Sequence, residues 1–262
     1  MTDLSTEKVP VPDVTVGAYR AVFGQIGSVL ELGWLPLLIL LGVSIIPAVL
    51  PPNFGESSIV LRALPDLFDL VAGALCLNAF GVRWYQAQLF GGANHRPWLG
   101  PWCRFLLYTF ALYAALGVVL AAILFAGTIV GDRSVSLEID VVALDLAALA
   151  ALLLAMARLS LLFPAAAAGR PIGIGGAWNA TRGNGWRIVL CWLFATAPLL
   201  LGVQIVMGAV FTGFGVGDAT NTPMGLYILR GLVGTLADFL IAALGAVVLS
   251  DVYRRLVPAT GS

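Results

Sequence analysis

Residues 188–217 read IVLCWLFATAPLLLGVQIVMGAVFTGFGVG, thirty positions without an Asp, Glu, Lys or Arg. About 20 apolar residues in a helix cross the hydrocarbon core of a bilayer, so this run spans a membrane unaided. Two further runs, residues 32–55 and 105–131, are also uncharged. Between and after these lie apolar stretches of another kind, around residues 64–82, 141–163 and 231–252. Each carries an aspartate in its body: Asp69, Asp145 and Asp238, with Asp66 and Asp251 nearer the ends. Six spans are predicted, the odd ones uncharged and the even ones acidic. The fold class is an all-α polytopic membrane helical bundle.

Composition agrees. Hydrophobic residues make up 60% and charged residues 11%, with mean hydropathy +0.97. Soluble chains carry about 25% charged residues. Six helices of about 22 residues take half the length and leave only short connections. One six-helix transmembrane domain over residues 14–258 is expected, preceded by a polar, disordered tail over residues 1–13. That tail lacks the basic and apolar regions of a cleavable leader. Cys76, Cys103 and Cys191 are odd in number and far apart, and read as buried structural thiols.

Charge along the chain orients the spans. One set of segments holds Lys8, Arg20, Arg83, Arg96, Arg104, Arg158, Arg170, Arg182, Arg187, Arg254 and Arg255, eleven cations. The opposite set holds only Arg62, Arg133 and Arg230. By the positive-inside rule, both termini are expected in the cytoplasm. All seven tryptophans (Trp34, Trp84, Trp98, Trp102, Trp178, Trp186 and Trp192) fall near the inner ends of spans. Such rings favour the headgroup level, where an apolar body and one N–H are both satisfied. A belt that fixes helix depth is the plain expectation. The sharper one is a surface for anionic lipid headgroups, with Arg83, Trp84, Arg104, Arg158, Arg182, Trp186 and Arg187 as candidates. The lipid bilayer is the expected partner, with no nucleic acid and no cofactor.

Apolar residues Val16, Tyr19, Val22, Phe23, Ile26, Val29 and Leu30 recur at helical spacing before the first span. They predict an amphipathic interfacial helix that turns into the membrane at Gly33-Trp34. A related pattern predicts a second interfacial amphipathic helix before the fifth span: GAYRAVFG at residues 17–24 resembles GAWNATRG at residues 176–183. Each even span also has its acid early and its base late: Asp69 and Arg83, Asp145 and Arg158, Asp238 and Arg254. That order complements the helix dipole and is a structural explanation in itself.

The intramembrane polar candidates are Asp238, Asp69, Asp145 and Asn78. An aspartate at mid-bilayer costs about 2.5–3.5 kcal/mol on insertion scales and is expected to face a bundle interior or water. Asp238 stands near the middle of a long helix capped by Thr222-Pro223. It is expected to be neutral or hydrogen-bonded within the bundle, and sequence does not choose between Asn78 and a neighbouring Ser or Thr as a partner. The segment Gly173-Ile174-Gly175-Gly176 lacks the strand and the Gly-Lys-Ser/Thr of a phosphate loop. Asn179-Ala180-Thr181 matches a glycosylation sequon but falls on the inner side. His95, the one histidine, has no acid and nucleophile beside it in sequence. No catalytic set or metal cluster can be assembled from these residues.

Three short motifs carry a family resemblance. They are VRWYQAQLFG at residues 82–91, RLSLLFPAAA at residues 158–167 and AWNATRGNGWR at residues 177–187. Together they resemble an uncharacterised bacterial integral membrane protein family, itself similar to the membrane domain that precedes some glycerophosphoryl diester phosphodiesterases. Where such proteins usually show Trp-His-Arg, this chain has Trp84-Tyr85-Gln86. The resemblance implies six helices and a bacterial inner-membrane address, and no established activity. The leading expectation is a non-enzymatic multi-pass protein that acts on or organises lipid, or assists a membrane complex. The alternative is a small transporter or channel that uses the aspartates of the even helices.

Overall fold

The computed structural model describes residues 8–49, 59–91, 97–130, 138–213 and 224–257. Over these the chain is helical: α1 Val11–Gly24, α2 Ile26–Val49, α3 Ile59–Phe90, α4 Leu99–Val130, α5 Glu138–Leu159, α6 Leu162–Ala167, α7 Gly173–Ala180, α8 Gly185–Gly213 and α9 Met224–Leu256. Among the described residues there is no strand. Six helices, α2, α3, α4, α5, α8 and α9, are long and apolar enough to cross a membrane, as the hydropathy predicts. The protein is an all-α multi-pass helical bundle.

Helix α9 is the central post. Half of its most apolar window is buried (50%), against 28% or less for each of the other spans. Helices α3, α4, α5, α8 and α9 form a closed ring in which each packs on the next, and α9 returns to α3. Helix α2 lies outside the ring against α3 and α9, and α1 lies against α8 and α9. The short α6 folds under the ring onto α4, α3 and α9, burying Leu162 and Pro164 through Ala167.

Small residues and aromatic rings set the register. Gly33 faces Phe239 so closely that a Cβ there would overlap the ring. Phe239 packs on Phe80 with centroids 4.1 Å apart, and Phe80 stacks on Trp84 at 6.2 Å. The Trp84 indole N–H donates to the Ala243 carbonyl at 3.1 Å. Close backbone approach through a glycine is the usual route to tight association where no water drives helices together.

Several expectations change. The turn before the first span falls at Gln25, not at Gly33-Trp34, because Gly33 supplies space for Phe239 inside a continuous α2. Helix α1 does not lie as a free interfacial element. Val14, Ala18 and Val22, four residues apart, form a buried stripe against α8 and α9. The chain takes up order before residue 14. Val9 is buried, its N–H donates to Asn184 Oδ1 at 3.1 Å, and its carbonyl accepts from Arg187 at 3.0 Å. Further along, the Tyr19 hydroxyl donates to the Ala195 carbonyl at 2.8 Å. From Asn184 to Ala195 is about 16 Å of helix, so α1 climbs beside α8. Burial also pushes the Tyr19 phenol above its ordinary range. Asn184→Ala removes the acceptor for Val9, and limited proteolysis is expected to cut residues 8–24 several-fold faster while the six spans stay intact.

Burial does not alternate between odd and even spans. Helix α9 is the most buried and α4 the least, but α3 and α5 are no better covered than α2 and α8. Cys76 and Cys191 are buried as expected, while Cys103 is exposed near the start of α4.

Candidate functional site

The helix ring borders a half-open cavity of about 530 Å³. Its walls come from Leu77, Asn78, Gly81 and Tyr85 of α3, from Phe105, Thr109 and Tyr113 of α4, and from Met156, Phe163 and Trp192. Asp238, Gly245 and Leu249 of α9 complete it. A second cavity of about 240 Å³ shares Leu112, Met156, Phe163, Trp192 and Leu249 and extends the space toward Ser160 and Ile188 between α5 and α8. The volume falls within the range of small-molecule sites, and the walls are mainly apolar and aromatic.

Two of the expected polar residues meet here. Asn78 is 7% exposed, and the Thr109 hydroxyl bonds its Oδ1 at 3.0 Å and the Phe105 carbonyl at 3.0 Å. Asn78 Nδ2 is buried without a partner. The hydroxyl has one proton, so the amide can be turned to donate to it, which frees the oxygen instead. Either way one polar atom of this buried amide is unsatisfied. Leaving such a group unpaired costs about 1–3 kcal/mol. Asp238 follows α9 one residue before Phe239, and Asn78 stands two before Phe80, so the Phe80–Phe239 contact sets them at similar depth.

Asp238 is not paired as the sequence predicts. Its carboxylate is exposed, opens on the cavity and has no hydrogen-bond partner among the described residues; Asn78 bonds Thr109 instead. Asp69, on α3, is also exposed. The side chain of Asp145, on α5, lies outside the described residues, as do Thr222, Pro223 and His95.

A second group forms where α5, α7 and α8 meet. The Arg158 guanidinium sits over the Trp178 ring, 4.4 Å from its centroid, while its Nε is buried without a hydrogen-bond partner. Gly185 leaves room for this stem, since a Cβ there would lie 2.6 Å from Leu154 Cδ1 and 3.3 Å from Arg158 Nε. Arg182 and Trp186, between α7 and the start of α8, are exposed, and Arg187 is half-buried and holds Val9. Half-buried Arg83 on α3 and exposed Arg104 on α4 stand apart from this cluster of α5, α7 and α8. Trp84 does not belong to a headgroup surface at all. It is fully buried, because a helix turns about 100° per residue and the outward Arg83 sends its neighbour inward.

Sequence reasoning missed the cavity wall. Thr109, Tyr113 and Trp192 lie in spans marked only by their lack of charge, and nothing in a single span says which others enclose it. The Arg158–Trp178 contact was legible as two residue types but not as a pair. Compared with family models, with curated proteins and with solved structures, the chain matches none.

Proposed function

We propose that this is a non-enzymatic multi-pass protein of the bacterial inner membrane, with both termini cytoplasmic, that binds anionic phospholipid headgroups at its basic end. There it organises lipid or steadies a membrane complex. The observation that carries this reading is Arg158, held over Trp178 with a buried, unpartnered Nε, while Arg182, Trp186 and Arg187 follow Trp178 on the same α7–α8 segment. Among the described residues the ion pair is Arg255–Asp251, at 3.1 Å, so the Arg158 group has no carboxylate to neutralise it. A phosphate can accept from several guanidinium N–H groups at once, and each cation near an anionic leaflet contributes about 1 kcal/mol.

Lipid extracted from the purified protein tests the reading. Phosphatidylglycerol or cardiolipin is expected to be enriched several-fold over the bulk membrane in the wild type and to fall to the bulk proportion in Arg158→Gln/Arg182→Gln. Equal enrichment in both would remove the assignment. Orientation is tested separately: reporters fused after Gly176 and Ser262 are expected to read cytoplasmic, and those after Asn53, Arg133 and Gly217 external. The transporter alternative draws on Asp238 and the cavity. It predicts ion-dependent flux in proteoliposomes that Asp238→Asn abolishes while the fold survives.

A further inference from the structure

The ring cavity has features that the basic end does not explain. It is long, its walls are mainly apolar, and its carboxylate and its amide stand at one end. From Asp238 to Leu249 the wall follows eleven residues of α9, about 16 Å at the helical rise, the length of an extended chain of about twelve carbons. At the Asp238 end stand a carboxylate without a hydrogen-bond partner and the Asn78 amide, 7% exposed and one polar atom short of a partner. Tyr113, four residues beyond Thr109 on α4, also lines the space, while Trp192 lies against Gly245, further along α9. No arginine or lysine lines either cavity among the described residues.

We propose that this cavity binds a single-chain amphiphile with a cationic ammonium head, the head at Asp238 and Asn78 and the alkyl chain along α9 toward Phe163 and Leu249. An anionic head is disfavoured by the Asp238 carboxylate, which no cation offsets within the walls. A neutral head would satisfy the amide and leave Asp238 without a counterion in a low-dielectric setting, which is costly. An ammonium head answers the carboxylate and can gain from the aromatic Tyr113 of the same wall, a usual partner of quaternary ammonium groups. This site is independent of the Arg158 cluster and uses none of its residues.

The test is photolabelling of the full chain in phosphatidylcholine nanodiscs, with a dodecyltrimethylammonium probe that carries a diazirine at the chain end, followed by peptide mapping. Labelling is expected at Met156, Phe163 and Leu249 at least tenfold above the lipid-facing controls Val118 and Ile205, which are 70% and 71% exposed. Asp238→Asn is expected to lower cavity labelling at least tenfold with unchanged thermal stability, since its side chain already faces open space. Asn78→Ala is expected to lower it less. The same probe with a sulfate head is expected to label the cavity no more than the controls. Equal cavity labelling by both heads, or in wild type and Asp238→Asn, would overturn the proposal. Competition by phosphatidylethanolamine as strong as that by unlabelled dodecyltrimethylammonium would overturn the single-chain assignment.

Discussion

Gly33→Val is expected to be the most damaging single change among the uncharged spans. Any Cβ at this position overlaps the Phe239 ring, and that ring is wedged against Phe80, so it has little room to swing away. Overpacking a filled core costs about 1–3 kcal/mol, and a β-branched side chain takes the upper end. Helix α2 would have to back away from α9, and the contact that aligns Asn78 with Asp238 would loosen with it. Thermal unfolding in detergent should show a clear loss of stability for Gly33→Val and a smaller one for Gly33→Ala. Combining Gly33→Ala with Phe239→Leu should recover most of the loss. No recovery would mean that the glycine serves something other than this approach.

Trp84→Ala is expected to cost nearly as much. The ring is wholly buried, stacks on Phe80, and donates to a backbone carbonyl of the central helix. Removing a large core aromatic costs about 3–5 kcal/mol in water-soluble cores. Lipid is as apolar as the side chain, so the transfer part is smaller here and about 3 kcal/mol is expected, mostly lost packing. Trp84→Phe keeps much of the volume and removes the N–H, so about 0.5–1.5 kcal/mol is expected. Were Trp84 an interfacial anchor, both variants would unfold like the wild type.

These two positions show what a single sequence discloses about such a protein. Span number and class were legible because hydrocarbon imposes one requirement on every crossing helix, a long apolar run. The buried role of Trp84 was not. Beside Arg83 it has the composition of an anchor, and only the helix rotation that sends one outward and the other inward tells them apart. Gly33 likewise reads as a turn until Phe239, 206 positions later, is brought against it. The Asp238–Asn78 site was half legible: the costly residue types stood out, but the cavity that joins them is set by six helices at once. Asp238 was expected to be satisfied and is instead open to that space.

The central functional claim is that Arg158 and its neighbours hold anionic lipid. It is tested most directly by the thermal stability of the protein in nanodiscs as phosphatidylglycerol replaces phosphatidylcholine. A ligand that binds the folded state stabilises it by mass action, about 1.4 kcal/mol at roughly ten times its dissociation constant. The wild type is predicted to gain stability with the phosphatidylglycerol fraction and to level off as the site fills. Arg158→Gln/Arg182→Gln, which leaves Arg187 on Val9, is predicted to stay flat across the same series. A flat wild-type curve, or one that the double variant reproduces, would contradict the account.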